Sequence, residues 1–253
     1  MQNRTAFAKA AQPSTALNFD IPAGACDCHT HIFGEPDKFP FFPGRVYTPE
    51  PASPEEMAAL HKALHIERVV IVTPSVYGPD NSATLFGVKA RGATARGVAV
   101  IDGKTPDGDL DAMHQAGIRG IRLNLATGGV SDPAIGRARF QAAVDRVKNR
   151  NWHIQMYTDL AMISAIKELV AASPVPVVFD HFGGTVAALG LEQPGLADLA
   201  THHLLRRRPM AGQLCVPYRT ELVDIRTTPF VTADHFFNHH LPAKSEGGTV
   251  QPD

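Results

Sequence analysis

Two histidines separated by a single residue, His29 and His31, form the part of this sequence best suited to chemistry. Alternate side chains of a β-strand point to the same face, so both imidazoles are predicted to project into whatever that face encloses. Two imidazoles at the end of a strand can hold a metal ion or, without a metal, polarise a carbonyl group. An ordinary pair of core or surface histidines is the alternative. A further histidine at a later strand end, His181, favours the functional interpretation.

Composition bounds the class of protein. The chain has 253 residues, enough for one large α/β domain or two small ones, and 44% of them are hydrophobic. A formal net charge of -1 lacks the excess of positive charge that is typical of proteins binding nucleic acid or an anionic membrane. The three cysteines are an odd number, and Cys26 and Cys28 are too close for an ordinary disulfide, which is typical of a reducing compartment. With no membrane span and no signal peptide in the sequence, we expect a cytoplasmic protein with no nucleic-acid or membrane partner.

Strands and helices alternate along the chain. The β-branched run at 68–74 is typical of a parallel strand buried on both faces. Seven strand–helix units favour a (β/α)₈ TIM-barrel-like fold of the α/β class over a doubly wound sheet, since no glycine-rich phosphate motif opens a helix. Strands are predicted at 25–32, 68–74, 95–101, 118–125, 152–157, 175–181 and, weakly, 213–218. Helices are predicted at 53–64, 81–91, 109–116, 132–149, 159–172 and 195–206.

In such a barrel the loops that follow the strands meet at one end, where active sites are found. The chain brings three histidines, Arg122 and Tyr157 to strand ends, so we expect these side chains to lie together. The long loop from Gly34 to Pro54 contains Tyr47, and loops of this length inside a compact domain are usually functional.

Four motifs then carry a family resemblance: the histidine pair with its flanks (28–34), Asp80-Asn81, the strand at 120–124, and the segment 179–184. With them the sequence resembles the amidohydrolase superfamily, and within it the 2-pyrone-4,6-dicarboxylate lactonase branch. The likeness runs from Ile21 to Leu199, and 217–219 resembles the motif of the seventh strand. The resemblance implies a barrel that hydrolyses a lactone, or a related cyclic ester, carrying a carboxylate.

The resemblance also implies roles for individual residues. The catalytic histidines would be His29, His31 and His181. Substrate-binding groups would be Arg122, Arg219, Tyr47 and Tyr157, with Ser75 and Asn81 as further polar groups of the pocket. Guanidinium suits a carboxylate because it presents a planar fork of donors. Asp180 precedes His181 and should point the other way in a strand, so we expect it to be structural.

A catalytic zinc normally needs about three protein ligands. The strand at 118–125 offers no bridging lysine or glutamate, and Gln155 and Tyr157 are poor zinc ligands. We therefore expect no cofactor, with the three histidines polarising the carbonyl as hydrogen-bond donors. The alternatives are zinc or another divalent metal on His29, His31 and His181 in a metal-dependent hydrolase or decarboxylase, and a catalytically impaired relative that only binds a ligand or partner. The loop at 126–129 lacks the second arginine expected of dicarboxylate lactonases, which leaves another lactone acid open as substrate.

The C-terminal part departs from the family pattern. The strand-eight motif with its water-activating aspartate has no counterpart after Arg219, and the sequence from about 201 loses its pattern. We therefore expect a truncated or frameshifted barrel whose last strand–helix unit is missing or replaced. The predicted organisation is an N-terminal arm (1–20), a barrel domain (21–219) and an atypical tail (220–253). Open strand edges would invite aggregation or pairing with another chain, as in a homo-oligomer.

Overall fold

Six parallel strands form one sheet in which each strand pairs with its neighbours in the sequence. The computed structural model describes residues 16–205. Over this range the sheet order is that of the chain, whereas a doubly wound sheet reverses its order at a switch point. The described residues therefore form a curled portion of a TIM-barrel-like (β/α) fold, which confirms the predicted fold class.

The strands are β1 (Cys26–Thr30), β2 (Arg68–Val72), β3 (Ala95–Ala99), β4 (Ile118–Asn124), β5 (His153–Tyr157) and β6 (Val177–Phe179). The helices are α1 (Pro54–Ala63), α2 (Ser82–Arg91), α3 (Asp107–Gln115), α4 (Pro133–Val147), α5 (Leu160–Ala171) and α6 (Leu196–Leu205). The weakly predicted strand at 213–218, Arg219 and the tail lie outside the described residues, as do residues 1–15 of the N-terminal arm. Among the helices that the structure describes, none is long and apolar enough to cross a membrane.

The sheet is buried on both faces, and β2 shows why its sequence is β-branched from Val69 to Val72. Val69 and Ile71 pack outward in a cluster that includes residues of α1 and α2, whereas Val70 and Val72 pack inward with Val98 of β3. All five side chains are fully buried. Because both faces of such a strand are covered, no position faces solvent, and its sequence is a continuous run of apolar residues.

Helix α1 begins where the sequence predicts, at a serine followed by a proline. The Ser53 hydroxyl accepts a hydrogen bond from the backbone N–H of Glu56, and the Glu56 carboxylate accepts one from the backbone N–H of Ser53. This capping box satisfies two backbone donors that the helix itself cannot, and an N-cap of this kind typically contributes about 1 kcal/mol. It fixes the point at which the long loop after β1 ends.

A β-bulge in β1 sets the direction of the first histidine. Asp27 pairs with Val69, but the next pairing joins Thr30 to Ile71, so two residues of β1 stand opposite one residue of β2. The extra residue allows both Cys28 and His29 to face the inner side of the sheet. Strand β1 ends at Thr30, one residue before the second histidine of the predicted pair.

A left-handed turn follows β6 and carries His181. The strand stops at Phe179, two residues earlier than predicted, and His181, Phe182, Gly183 and Gly184 all have φ values between 51° and 73°. This backbone region is costly for residues with a side chain, and such strain occurs mainly where the surrounding structure fixes a functional group. The alternation expected of a strand therefore ends before His181.

Substitution of Gly183 by alanine should destabilise the fold by about 2–4 kcal/mol. An added Cβ would lie 2.4 Å from Cδ1 of Ile163, at a backbone φ of +63° that disfavours side chains. Gly190→Ala is the matched control, because its φ is +69° but no atom of residues 16–205 lies within 4 Å of the added Cβ. Denaturant unfolding of both variants should show a loss of only about 1 kcal/mol for the control. Equal losses would contradict the predicted overlap with Ile163.

Candidate active site

A cavity of about 340 Å³ lies at the carboxyl ends of the strands. This is the edge of the sheet where barrel enzymes hold their active sites. Six of the predicted site residues line it: His31, Tyr47, Ser75, Arg122, Tyr157 and His181. Three further lining residues, Val46, Ala126 and Thr127, come from the loops after β1 and β4 and were not singled out from the sequence.

The remaining predicted residues lie elsewhere. His29 packs directly behind the cavity, with its ring centroid 4.8 Å from that of His31 and 5.2 Å from that of His181. Arg219 lies outside the described residues. Asn81, expected in the pocket, is buried away from it and joins the ends of β2 and β3. Its amide donates to the carbonyl of Val100 at 2.8 Å and accepts from the hydroxyl of Thr73 and the backbone N–H of Val100.

A buried ion pair lies behind the cavity. Arg122 reaches Oδ2 of Asp180 through Nε at 2.9 Å and Nη2 at 2.8 Å, and the Asp180 side chain is completely buried. Burial of the carboxyl group opposes its ionisation, but Arg122 and His29 outweigh that effect and hold the pKa of Asp180 well below its usual range. Asp180 thus lies on the side of His29 and Arg122, whereas strand alternation predicts the opposite direction, because the left-handed backbone at His181 breaks the alternation; its expected structural role stays a prediction.

Gln155 of β5 bridges this carboxylate and the first histidine. Its Nε2 lies 2.6 Å from Oδ1 of Asp180 and 3.0 Å from Nδ1 of His29. Nδ1 of His29 and Oδ1 of Asp180 are 3.6 Å apart, beyond normal hydrogen-bond distance. The Nε2 atom of His29 is buried and has no hydrogen-bond partner among the described residues.

His31 presents an acceptor to the cavity. Its Nδ1 lies 2.8 Å from the carbonyl oxygen of Val72. Because a carbonyl oxygen only accepts, Nδ1 carries the proton and Nε2 of the neutral ring carries a lone pair. Burial, together with the charges of His29 and Arg122, lowers the pKa of His31 to about 3, so the ring is neutral at pH 7. This differs from the expectation that all three histidines act as donors.

His181 and Tyr157 form one wall of the cavity. Their rings meet edge to face with centroids 5.3 Å apart, and the guanidinium carbon of Arg122 lies 5.3 Å from the Tyr157 ring centroid. Burial lowers the pKa of His181, which Asp180 opposes and the charges of His29 and Arg122 reinforce. A neutral His181 keeps one N–H that can donate to a substrate oxygen.

Three side chains that could hold a divalent ion lie close together. The ligand atoms of His29, Asp180 and His181 are all within 4.8 Å of one another. Some of their ligand atoms are already engaged, because Arg122 bonds to one carboxylate oxygen and Gln155 bonds to both the other oxygen and Nδ1 of His29, whereas Nε2 of His29 has no partner among the described residues. An ion placed there would also lie beside the guanidinium, which repels it. The group differs from the metal set considered from the sequence, which had His31 in place of the aspartate.

Sequence reasoning missed the roles of Asp180 and Gln155 for identifiable reasons. The sequence analysis considers Gln155 only as a zinc ligand, but a glutamine between the apolar residues Ile154 and Met156 of a buried strand indicates a hydrogen-bond partner inside the fold. Strand alternation gave the wrong direction for Asp180, although the paired glycines at 183 and 184 signal that the strand ends early.

Comparison with known proteins gives the family. Residues 26–243 match the family model described as Amidohydrolase. The chain is 34% identical over 179 residues to the 2-pyrone-4,6-dicarboxylate hydrolase of Comamonas testosteroni, covering 71% of this chain and 58% of that protein. It is 32% identical over 191 residues to the 4-sulfomuconolactone hydrolase of Rhizobium radiobacter, covering 74% and 64%. This chain therefore spans about three fifths of the length of these two relatives.

A solved structure supports the same relationship. The crystal structure of a Pseudomonas putida protein described as a 2-pyrone-4,6-dicarboxylic acid hydrolase superposes with a TM-score of 0.63 at 28% identity, covering 75% of this chain and 67% of that one. Because the family model spans most of the sequence, and the fold and the resemblance agree with it, this chain belongs to the amidohydrolase family.

Proposed function

We propose that this chain is a hydrolase that opens the ring of a lactone carrying a carboxylate. The observation that carries the proposal is the cavity itself, which brings an acceptor nitrogen of His31, an imidazole of His181 and the guanidinium of Arg122 to one place. The names of the relatives support it, since one acts on a pyrone dicarboxylate and another on a sulfomuconolactone.

Substrate binding would rest on Arg122 and the two tyrosines. Asp180 engages Nε and Nη2 of Arg122, and the hydrogen atoms on Nη1 are not used in those contacts. Nη1 can therefore donate to a substrate carboxylate while the ion pair holds the guanidinium in place. Tyr47 and Tyr157 line the same cavity and carry hydroxyl donors. A second cation at Arg219 stays a prediction from the sequence.

The chemistry would be attack of water on the lactone carbonyl. Nε2 of His31 accepts a hydrogen bond from the water and orients its oxygen toward the carbonyl carbon. His181 donates to the carbonyl oxygen, where negative charge develops as the new C–O bond forms. The ring C–O bond then breaks, and the proton from the water ends on the released ring oxygen. Because the pKa of His31 is low, its Nε2 is a weak base, and its main contribution is to orient the water.

We propose further that the reaction needs no metal cofactor. The support is the bonding of the Asp180 carboxylate and of Nδ1 of His29, which Arg122 and Gln155 engage, together with the adjacent guanidinium, which would repel a cation. The cytoplasmic location, the homo-oligomeric state and the three-part organisation of the chain stay predictions from the sequence.

The test is hydrolysis of a panel of lactones by the purified full chain. The panel would contain 2-pyrone-4,6-dicarboxylate, 4-sulfomuconolactone and an uncharged lactone, each assayed with a chelator and with added zinc. We expect turnover of at least one carboxylated lactone, unaffected by the chelator. Turnover that appears only with zinc would overturn the metal-free proposal, and no turnover by folded protein would overturn lactone hydrolysis.

Substitution of His181 by asparagine should lower kcat about 100-fold or more, since positioned acid–base groups typically contribute at least this much. His65→Asn is the matched control. His65 is an exposed histidine with a φ of 52°, a backbone region that asparagine tolerates, and it should leave kcat unchanged. Steady-state kinetics on the best substrate of the panel measures both variants. Equal activities would remove His181 from the proposed chemistry.

A further inference from the structure

The side chain of Gln155 lies among charged and aromatic neighbours with only 1% of its surface exposed. Its Nε2 is within hydrogen-bond distance of two atoms, Oδ1 of Asp180 and Nδ1 of His29. An amide nitrogen carries two hydrogen atoms and can serve both partners at once. The role of this side chain depends on which of these partners accept.

The orientation of the amide follows from Asp180. An ionised carboxylate only accepts hydrogen bonds, and Arg122 stabilises its ionised form. If the amide were reversed, its oxygen would lie 2.6 Å from a carboxylate oxygen, and the two acceptors would repel each other. The NH₂ group therefore faces Asp180, and the same nitrogen donates its second hydrogen atom to Nδ1 of His29.

This bonding determines the tautomer of His29. A nitrogen that accepts a hydrogen bond cannot also carry the proton, so in the neutral ring the proton lies on Nε2. That N–H is buried and has no acceptor among the described residues, although buried donors are nearly always paired. The ring packs against His31 and His181, the two histidines that line the cavity. The unmatched donor is consistent with a substrate oxygen as its partner.

We propose that Gln155 is a positioning residue that keeps the proton of His29 on Nε2, so that His29 enters the reaction as a hydrogen-bond donor. The role of this donor in catalysis rests on the proposed function. The position of the proton on His29, however, can be measured in the protein without a substrate. His29 and His31 then have opposite polarity, because Val72 holds the proton of His31 on Nδ1 and leaves Nε2 as an acceptor. One histidine of the pair would stabilise negative charge while the other orients water.

The competing partner of His29 is the carboxylate of Asp180, 3.6 Å from Nδ1. If the Gln155 amide were removed, this carboxylate would remain beside Nδ1, and its negative charge would draw the proton there. Nε2 would then present a lone pair in place of an N–H. Gln155→Met makes this change with a side chain of similar length and shape and no N–H.

The test is a long-range proton–nitrogen correlation spectrum of the full chain with ¹⁵N-labelled histidine, recorded at neutral pH with a chelator. His29→Asn assigns the signals of this ring by their loss. We expect the proton on Nε2 in the wild type and on Nδ1 in Gln155→Met. A wild-type proton on Nδ1, protons on both nitrogens, or an unchanged tautomer in Gln155→Met would overturn the proposal. If the variant does not fold, the wild-type spectrum still decides.

Gln193→Met is the matched control, because Gln193 is also buried but, among the described residues, bonds only to the backbone of Val186 and Gly190. It should leave the His29 tautomer and kcat unchanged. Gln155→Met should lower kcat about 10–100-fold with KM changed less than about threefold. A rise in KM with kcat unchanged would contradict the positioning role. If the wild type hydrolyses no lactone, the proposed function fails, whereas the spectrum still decides the tautomer.

Discussion

Replacing Asp180 by alanine should lower the free energy of unfolding by about 3–5 kcal/mol. The substitution leaves the guanidinium of Arg122, whose side chain is 5% exposed, buried without its counter-ion. It also removes the acceptor that orients the Gln155 amide. The cost comes mainly from the uncompensated charge, since each ion of such a pair has already lost its hydration. Denaturant unfolding of the full chain, followed by a spectroscopic probe, measures the change.

Two further variants separate this explanation from a general loss of packing. The double variant Arg122→Met/Asp180→Ala removes both charges and should recover a large part of the lost stability. Asp198→Ala breaks an ion pair with Lys167, where both side chains are substantially exposed, and should change the stability much less. If the double variant were no more stable than Asp180→Ala, the buried charge would not be the cause.

The fold could be predicted from the sequence because its signals are local and repeated. The β-branched run of β2 and the serine-proline start of α1 each indicate one element through its own chemistry. The alternation of these elements then leaves few topologies, and the observed sheet order is the one that a barrel requires. The predicted end of β6 was wrong because a left-handed turn begins with two residues that carry side chains.

The candidate site was predicted in part, for a physical reason. Strand ends meet in a parallel barrel, so His31, Arg122 and Tyr157 could be brought together by position alone. Which ring nitrogen of each histidine carries the proton could not be predicted, because it depends on hydrogen-bond partners that are distant in the sequence. Val72 is 41 residues from His31, and Gln155 is 126 residues from His29.

The ion pair with Asp180 explains why Arg122 alone attracts an anion only weakly. Asp180 balances its charge at a separation of 2.8 Å, so the pair presents little net field to the cavity. A hydrogen bond from Nη1 would therefore orient a substrate carboxylate, but the guanidinium would add little long-range attraction. We therefore expect binding of carboxylated lactones to depend only modestly on ionic strength if Arg122 is their sole cationic contact.

Acidification should destabilise the protein well before its carboxylates become protonated. A histidine in an unfolded chain has a pKa of about 6.5. Burial lowers the pKa of His31 in the folded protein to about 3. Between these values the unfolded chain binds one more proton than the folded protein, so stability falls as the pH falls. The contribution of His31 is complete above about pH 6.5. It should decrease by about 2–3 kcal/mol on acidification to pH 4, allowing for partial exposure of the ring.

The matched variant is His31→Asn, whose amide can still donate to the carbonyl of Val72 but cannot titrate. Unfolding free energies measured from pH 7 to pH 4 should show a shallower slope for this variant than for the wild type. Some slope should remain, because burial also lowers the pKa of His181. Asp180 should add little in this range, because its pKa lies below the usual carboxyl value and its stabilisation is lost only at lower pH. Identical slopes for variant and wild type would mean that the folded protein accepts a proton at His31 without cost, which would contradict a ring held neutral by burial and by the bond from Nδ1 to Val72.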